Sequence, residues 1–413
     1  MPSLSAWLQG AALLFPMVHP VVRHGGGTVW VLLVLGGGGL WLRARRRGEA
    51  LPLLPAGEVR WLLLALLAIP LAQWLSLVNA DEWRHVGPKL EKGLQVLLFP
   101  LAYLLVRHAR ADLGRWFLWG CVVAAPLMLV VGMWQMLHGA QWAHGAYYRI
   151  LYGDLALYFL VIMVAADLMW LRGRSRWLLW GGMACALVAV LLSGTRGAWL
   201  AGLVFLPWAL WCYRRVLRPR QWLVLGMASV VGVALLVTVP SPIQQRLNTG
   251  LQELENLGEG VGSWGTRYQL WRLSVALWRE HPWLGTGVGD LPQEIRRAAE
   301  AGEYHAGIHY DHAHSLYFDA LATLGTVGFL ALMAGFFLLP TWFFLRHWRR
   351  ARGDPYRRFL ALAGLVGVAA FALFGLTEAW FSRMHFTRAY LFHLLVFVSA
   401  LSIAEEGRVG ESA

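Results

Sequence analysis

The chain has 413 residues, 58% of them hydrophobic and 14% charged, with a mean hydropathy of +0.51. A soluble domain carries about 25% charged residues, so this composition excludes an ordinary soluble enzyme and points to an integral membrane protein. The formal net charge of +13 does not imply a nucleic-acid partner: Lys89 and Lys92 are the only lysines, and the arginines gather in short breaks between apolar runs, where they set topology and meet anionic lipid.

The apolar runs are continuous rather than alternating, which predicts an all-α protein and not a barrel. Counting stretches of roughly 17–25 residues predicts about twelve transmembrane helices, at 6–22, 28–42, 61–78, 93–106, 116–137, 150–171, 177–192, 199–213, 222–239, 316–345, 359–381 and 389–403. Nine of these fall in 1–239. Three fall in 315–413, ahead of a short cytoplasmic tail. Between them lies one long polar loop, 240–314. No basic segment precedes the first run, so it reads as a retained span and not a cleaved signal. Twelve spans put both ends of the chain on one side. The arginine clusters at 43–47, 107–115, 172–176, 214–220 and 346–358 fall on that side too, which makes it cytoplasmic and the long loop periplasmic. Arg23, Arg84, Lys89, Lys92, Arg149, Arg196, Arg383 and Arg388 fall on the other side. They run against the bias and need another explanation. Cys121, Cys185 and Cys212 lie in or at the ends of apolar runs, with neither zinc nor disulfide spacing.

Within the loop, 264–279 predicts an amphipathic helix. Tyr268, Trp271, Val275 and Trp278 share one stripe, with Arg267 beside it, as expected of a helix lying on the membrane or on the bundle. A second short helix is expected at 291–303. Gly285-Thr-Gly-Val-Gly289 follows no strand, so it reads as loop punctuation and not a nucleotide site.

Several residues are placed for chemistry. Arg196 lies in a turn between two runs, where a buried charge usually has a partner or a function; snorkelling to the headgroups is its simpler reading. For Arg267 the simpler reading is a solvated helix face. Asp154 and Glu378 lie inside apolar runs, and such carboxylates are either functional or neutralise a buried arginine; the latter is favoured for Asp154. His305, His309, His312 and His314, with Asp311, form the densest set of potential ligands. His305 and His309 are four apart, as in a helical zinc pair, but Gly302 and Gly307 weigh against a rigid helix there. Solvent exposure is the plain reading of His309 and His312. A histidine near arginines suits proton abstraction from a hydroxyl. Asp319, one turn past His314, is placed to orient a histidine.

Three patterns occur in a fixed order: Leu192-Ser-Gly-Thr-Arg-Gly-Ala-Trp199; then Thr266-Arg267-Tyr-Gln-Leu-Trp271 with His281-Pro-Trp-Leu-Gly-Thr-Gly287; then His314-Ser-Leu-Tyr-Phe ahead of Gly325-Thr-Val-Gly328. Over roughly 177–330 this resembles the bacterial O-antigen ligase family and its relatives, the O-antigen polymerases and O-linked oligosaccharyltransferases. The resemblance implies a membrane glycosyltransferase that moves polysaccharide from undecaprenyl pyrophosphate onto lipid A–core at the periplasmic face of a Gram-negative inner membrane. It further implies an inverting, metal-independent reaction without a cofactor. The family's two key arginines map onto Arg196 and Arg267, and its key histidine onto His314. One departure is Ser315, where many relatives have Asn.

Arginine suits such a donor, because its planar fork clamps a pyrophosphate and stabilises charge on it as it departs. Lys89, Arg149, Tyr147, Glu378 and Arg388 are the further residues expected to bind substrate. Tyr147, Tyr148 and the loop tryptophans are stacking candidates, although interface anchoring suits most of them. A polymerase or a protein-glycosylating enzyme is the alternative within this class. A transporter for lipid-linked sugars is the alternative outside it, disfavoured by the absence of inverted repeats.

Overall fold

The computed structural model describes residues 3–214, 216, 218–223, 227, 242–255, 262–302 and 310–412. Among these the chain is all helical. In order the helices are α1 (Leu4–Val18), α2 (Gly25–Arg46), α3 (Glu58–Ser76), α4 (Val86–Leu97), α5 (Phe99–Ala109), α6 (Gly114–Leu137), α7 (Arg149–Met169), α8 (Ser175–Leu192) and α9 (Arg196–Tyr213). After these come α10 (Pro242–Glu255), α11 (Gly262–Glu280), α12 (Leu291–Glu300), α13 (Leu316–Leu332), α14 (Leu339–Arg350), α15 (Pro355–Phe374) and α16 (Met384–Ser412). A π-helical turn, Met333–Leu338, joins α13 to α14.

Among the described residues eight segments are long and apolar enough to cross a membrane: Gly25–Arg46, Glu58–Asn79, Gly114–Leu137, Arg149–Met169, Ser175–Leu192, Leu316–Arg350, Pro355–Phe374 and Met384–Glu406. The first expected span appears as the shorter apolar helix α1. The fourth, 93–106, is not one helix. It breaks between α4 and α5 at Leu98, where Pro100 opens the next helix without a donor to offer the preceding turn. The eleventh ends early, at Phe374, so Glu378 lies in a connection and not in a span. The ninth, 222–239, lies outside the described residues except for Trp222, Leu223 and Met227, and His305 and His309 lie outside them too. All three cysteines are free.

The bundle is organised around α7, α15 and α16. Of the span windows, 89% of α7 and 83% of α16 is buried in protein, against 28% of α8 and 33% of α2. The first two are therefore central and the last two face outward. An aromatic cluster of Phe336, Phe371, Trp380 and Tyr390 locks α15 to α16. The Trp380 indole donates to the Phe371 carbonyl at 2.9 Å, which pins the connection carrying Glu378.

The loop helix α11 packs on α13, and this moves its buried row. Leu270, Ser274 and Leu277 face inward while Tyr268 is exposed, so the expected stripe of Tyr268, Trp271, Val275 and Trp278 is rotated. Trp271 and Trp278 flank the contact because their N–H groups have partners there, the Ala313 carbonyl at 3.2 Å and the Thr326 hydroxyl at 3.0 Å.

The glycines after α11 have a related role. Helix α13 kinks at Gly325, whose φ is +62°. The Thr326 and Val327 amides then donate to the carbonyls of Pro282 and Trp283, and the Thr286 amide donates to Ala322. A Cβ on Gly325 would lie 2.5 Å from the Gly285 nitrogen. The 281–287 and 325–328 motifs are thus two halves of one joint. Gly325→Ala should destabilise the protein by about 1 kcal/mol or more, from the positive φ and the clash together. A thermal melt in detergent unchanged from wild type would contradict this.

Candidate active site

The site is built where the 310–315 segment meets the 375–383 connection. The Leu316 amide and the Ser315 hydroxyl both donate to the Gly375 carbonyl, at 2.8 and 3.1 Å. Asp319 accepts from the Ala313 amide at 3.0 Å and from the Ser382 hydroxyl at 3.1 Å. It therefore orients the backbone that carries the histidines, and not an imidazole as expected. His314 itself has φ +50°, a left-handed conformation that a non-glycine residue holds only when its surroundings impose it.

Glu378 is 1% exposed and sits between two histidines. Its Oε1 is 3.5 Å from His312 Nε2, and its Oε2 is 3.9 Å from His314 Nδ1. Neither His314 Nδ1 nor Glu378 Oε2 has a closer hydrogen-bond partner. On its far side His312 Nδ1 meets Asp311 Oδ1 at 2.5 Å. His312 is 1% exposed, which overturns the solvent-exposed reading. Burial works against charge on His312, but Asp311 and Glu378 outweigh it and raise its pKa. For His314 burial wins: its pKa is lowered, although Glu378 pulls the other way. Burial would raise Glu378, but its contacts with the two histidines hold it below the usual carboxylate range. The carboxylate thus favours the charged form of His312, while burial favours the neutral form of His314. Arg383 closes the group. Its Nε is 3.5 Å from Glu378, its Nη2 is 3.4 Å from His312 Nε2, and its guanidinium lies over the Tyr148 ring.

His312, His314 and Glu378 each offer a ligand atom, all within 4.8 Å of one another. That set is chemically able to hold a divalent ion. Arg383, however, puts a fixed positive charge 3.4 Å from one of its three donors.

Arginines line the neighbouring surface. Arg196 is the first residue of α9, whose N-terminal turn no side chain caps; the helix dipole there favours an anion. The turn before it is tight. Thr195 N–H donates to the Ser193 hydroxyl at 3.1 Å, and the Thr195 hydroxyl donates to the Arg149 carbonyl at 2.9 Å. Arg196 Nη1 donates to Glu253 Oε2 at 2.6 Å, and Nη2 to the Arg246 carbonyl at 3.1 Å. Arg196 is thus largely buried and ion-paired, not snorkelling. Arg267 donates to the Ser263 carbonyl at 3.1 Å, to the Ser263 hydroxyl, and to the Thr377 carbonyl next to Glu378 at 3.4 Å. Burial lowers its pKa, Glu378 opposes that, and the like charge of Arg196 adds to it. Arg246 is held down to about 10 by burial and by Arg149 and Arg196. Arg196, Arg246 and Arg267 therefore all feel Glu253, the only carboxylate ion-paired to any of them among the described residues, and Arg149 adds its charge beside Arg196 and Arg246.

The other expected site residues divide. Arg149 opens α7 and lines a cavity of about 530 Å³ with Tyr147 and Tyr148. Lys89 donates to the Asp311 carbonyl at 2.9 Å and to the Ser382 hydroxyl at 3.2 Å, so it braces the histidine segment. Tyr147 stacks on His385. Arg388 stands apart from the histidine pair, its nearest polar partner being Gln95 at 3.4 Å. Asp154 is buried with neither oxygen hydrogen-bonded and with no arginine ion-paired to it among the described residues. The expected neutralising partner is not there.

Sequence reasoning missed His312, Arg246 and Glu253. His312 carried a signal in its two-residue spacing from His314, and the bent 311–315 segment turns both imidazoles toward Glu378. Nothing local marked Arg246 or Glu253, because they enter the site only once α10 packs on α11 and meets Arg196 at the start of α9.

The fold and the site together define a multi-pass α-helical membrane protein with a cationic, histidine-bearing polar centre at one end of its bundle. Residues 181–333 match the family model described as O-Antigen ligase. That match, which spans Arg196, Arg267 and His314, supports the O-antigen ligase family for this chain. It points to a ligase- or polymerase-like membrane enzyme of the glycosyltransferase kind, acting on lipid-linked polysaccharide and lipid substrates generally. No curated protein matches the chain.

Proposed function

We propose that the protein is an O-antigen ligase of a Gram-negative inner membrane. It transfers polysaccharide from undecaprenyl pyrophosphate onto lipid A–core on the periplasmic side. The observation that carries this reading is the convergence of Arg196, Arg267 and His314, from three distant segments, on one polar centre backed by Glu378. A hydroxyl of the acceptor attacks the anomeric carbon, and its proton passes to His314 Nε2, the nitrogen turned away from Glu378. The new glycosidic C–O bond forms as the anomeric C–O bond to the pyrophosphate breaks. The leaving group departs with the electron pair into the arginine cluster, and attack from the opposite face inverts the centre. Arg149 and Arg246 extend the anion site, while Lys89 and Glu378 hold the histidines in place.

Two measurements test this. Expressed in a host lacking its own ligase, the protein should restore polysaccharide-capped lipopolysaccharide. Chain extension of lipid-linked polysaccharide without capping would make it a polymerase, and movement of lipid-linked sugar without a covalent product would make it a transporter. With purified protein, donor and lipid A–core, the rate should be unchanged by excess chelator. Loss of activity restored by one divalent metal would turn His312, His314 and Glu378 into a metal site and overturn the acid–base reading.

A further inference from the structure

A second polar cavity, of about 550 Å³, is lined in part by Ser382 and Arg383 of the connection that carries Glu378. Besides the segment carrying Asp311, four others build it. Arg23 comes from the turn between α1 and α2, Lys92 from α4, Tyr147 from the 138–148 connection, and Arg383 with His385 from the junction before and at the start of α16. Its one carboxylate, Asp311, is already engaged by His312 at 2.5 Å. Arg383 shares its charge between Glu378 and Asp311. Arg23 and Lys92 form no ion pair among the described residues. Lys92 is held by the Pro88 carbonyl, and its ammonium stays on the cavity wall. The wall between them is aromatic, with the Tyr147 ring stacked on His385 at 3.6 Å between centroids. Two cations without an ion-pair partner among the described residues, in a concave, partly aromatic site, favour an anion attached to a ring. The cavity also adjoins the reacting centre: its Asp311 touches His312, which touches Glu378, which faces His314.

We propose that this cavity binds an anionic substituent of the acceptor sugar, a phosphate or a carboxylate, and so presents a nearby hydroxyl to His314. The inference rests on the transfer reading above and adds the acceptor's charge class and its docking site. The two anions of the reaction then bind at separate sets of cations. The donor pyrophosphate sits among Arg196, Arg246 and Arg267, and the acceptor anion sits between Arg23 and Lys92. This separation lets both substrates be bound without mutual repulsion in one pocket.

The test uses the full-length purified protein, lipid A–core as acceptor, and the variants Arg23→Gln, Lys92→Gln and the pair. Each single change should raise the acceptor KM about tenfold, the scale of one lost charge-assisted hydrogen bond. The pair should raise it about a hundredfold, with the donor KM within twofold of wild type. Binding of lipid A–core alone, without donor, should weaken in parallel. Arg23→Lys and Lys92→Arg keep the charge and should bind like wild type, which separates lost charge from lost folding. The difference between wild type and the double variant should vanish for acceptor stripped of phosphates or for acceptor with reduced carboxylates, and whichever removes it names the anion. An unchanged acceptor affinity, a raised donor KM, a charge-keeping pair that binds as poorly as the glutamines, or a difference surviving both treatments would each overturn the assignment. If wild type binds the acceptor but forms no product, the transfer reading fails and the binding arms still decide this one.

Discussion

His314→Ala should lower the transfer rate by about 10²–10⁴-fold, the contribution of a positioned general base, while the protein folds and inserts normally. His314 is the one histidine of the pair that is neutral and partly open: burial lowers its pKa, and its side chain is 15% exposed against 1% for His312. A neutral imidazole can accept a proton, whereas both ring nitrogens of His312 already face the carboxylates of Asp311 and Glu378. Its left-handed backbone, φ +50°, is a cost that alanine shares, so the change should disturb stability little. His312→Ala is the control with the opposite emphasis. It removes a buried ring wedged between Asp311 and Glu378 and should cost stability as well as rate. Capped lipopolysaccharide at wild-type levels from His314→Ala in a ligase-deficient host would remove His314 from the chemistry.

The same geometry sets the sign of the pH dependence. The acid limb of kcat/KM should follow a pKa below the ordinary 6.5 of histidine, because burial favours the neutral ring. Activity is then present at neutral pH and lost as pH falls through that depressed value. Glu378 opposes the depression. Glu378→Gln should therefore move the acid limb to still lower pH while lowering the plateau, because a less basic imidazole is a weaker base. A limb that stays put would mean Glu378 acts only as a brace.

What could be read from the sequence divides along a physical line. Apolar length and the arginine breaks located most helices, because a span's identity is set by its own residues. Its ends were less legible. Glu378 looked intramembrane because Phe374 to Phe381 is nearly all apolar, yet Trp380 buries itself by turning the chain and not by extending the helix. The stripe on α11 was misplaced because its inward face is chosen by the partner helix, and the Trp271 and Trp278 N–H groups look for acceptors at the edge of that contact. Arg196, Arg267 and His314 were legible as a set from the motif resemblance. The Glu378 bridge, the buried state of His312 and the Glu253–Arg196 pair were not, because each joins residues far apart in sequence or depends on such a joint.

Arg196→Ala and Arg267→Ala should each lose at least about 100-fold in kcat/KM, the scale of one preorganised donor removed from a developing negative charge. Lysine should rescue only part of it, because a point charge cannot reproduce the planar fork that Arg267 fixes on Ser263 and Thr377 while leaving donors free. Arg196 needs a sharper experiment, since it also ties α9 to α10 through Glu253 at 2.6 Å. If that tie were its whole purpose, Glu253→Gln would harm the enzyme as much as Arg196→Ala does. If instead Glu253 sits where a phosphate of the donor binds, Glu253→Gln frees the guanidinium and removes a competing negative charge. The donor KM should then fall or hold steady, with kcat largely kept. A melting temperature measured for both variants registers the lost ion pair in each, so only the kinetics distinguish them. Arg196→Ala inactive with Glu253→Gln active makes Arg196 a phosphate ligand; equal losses in both reduce it to a strut between two helices.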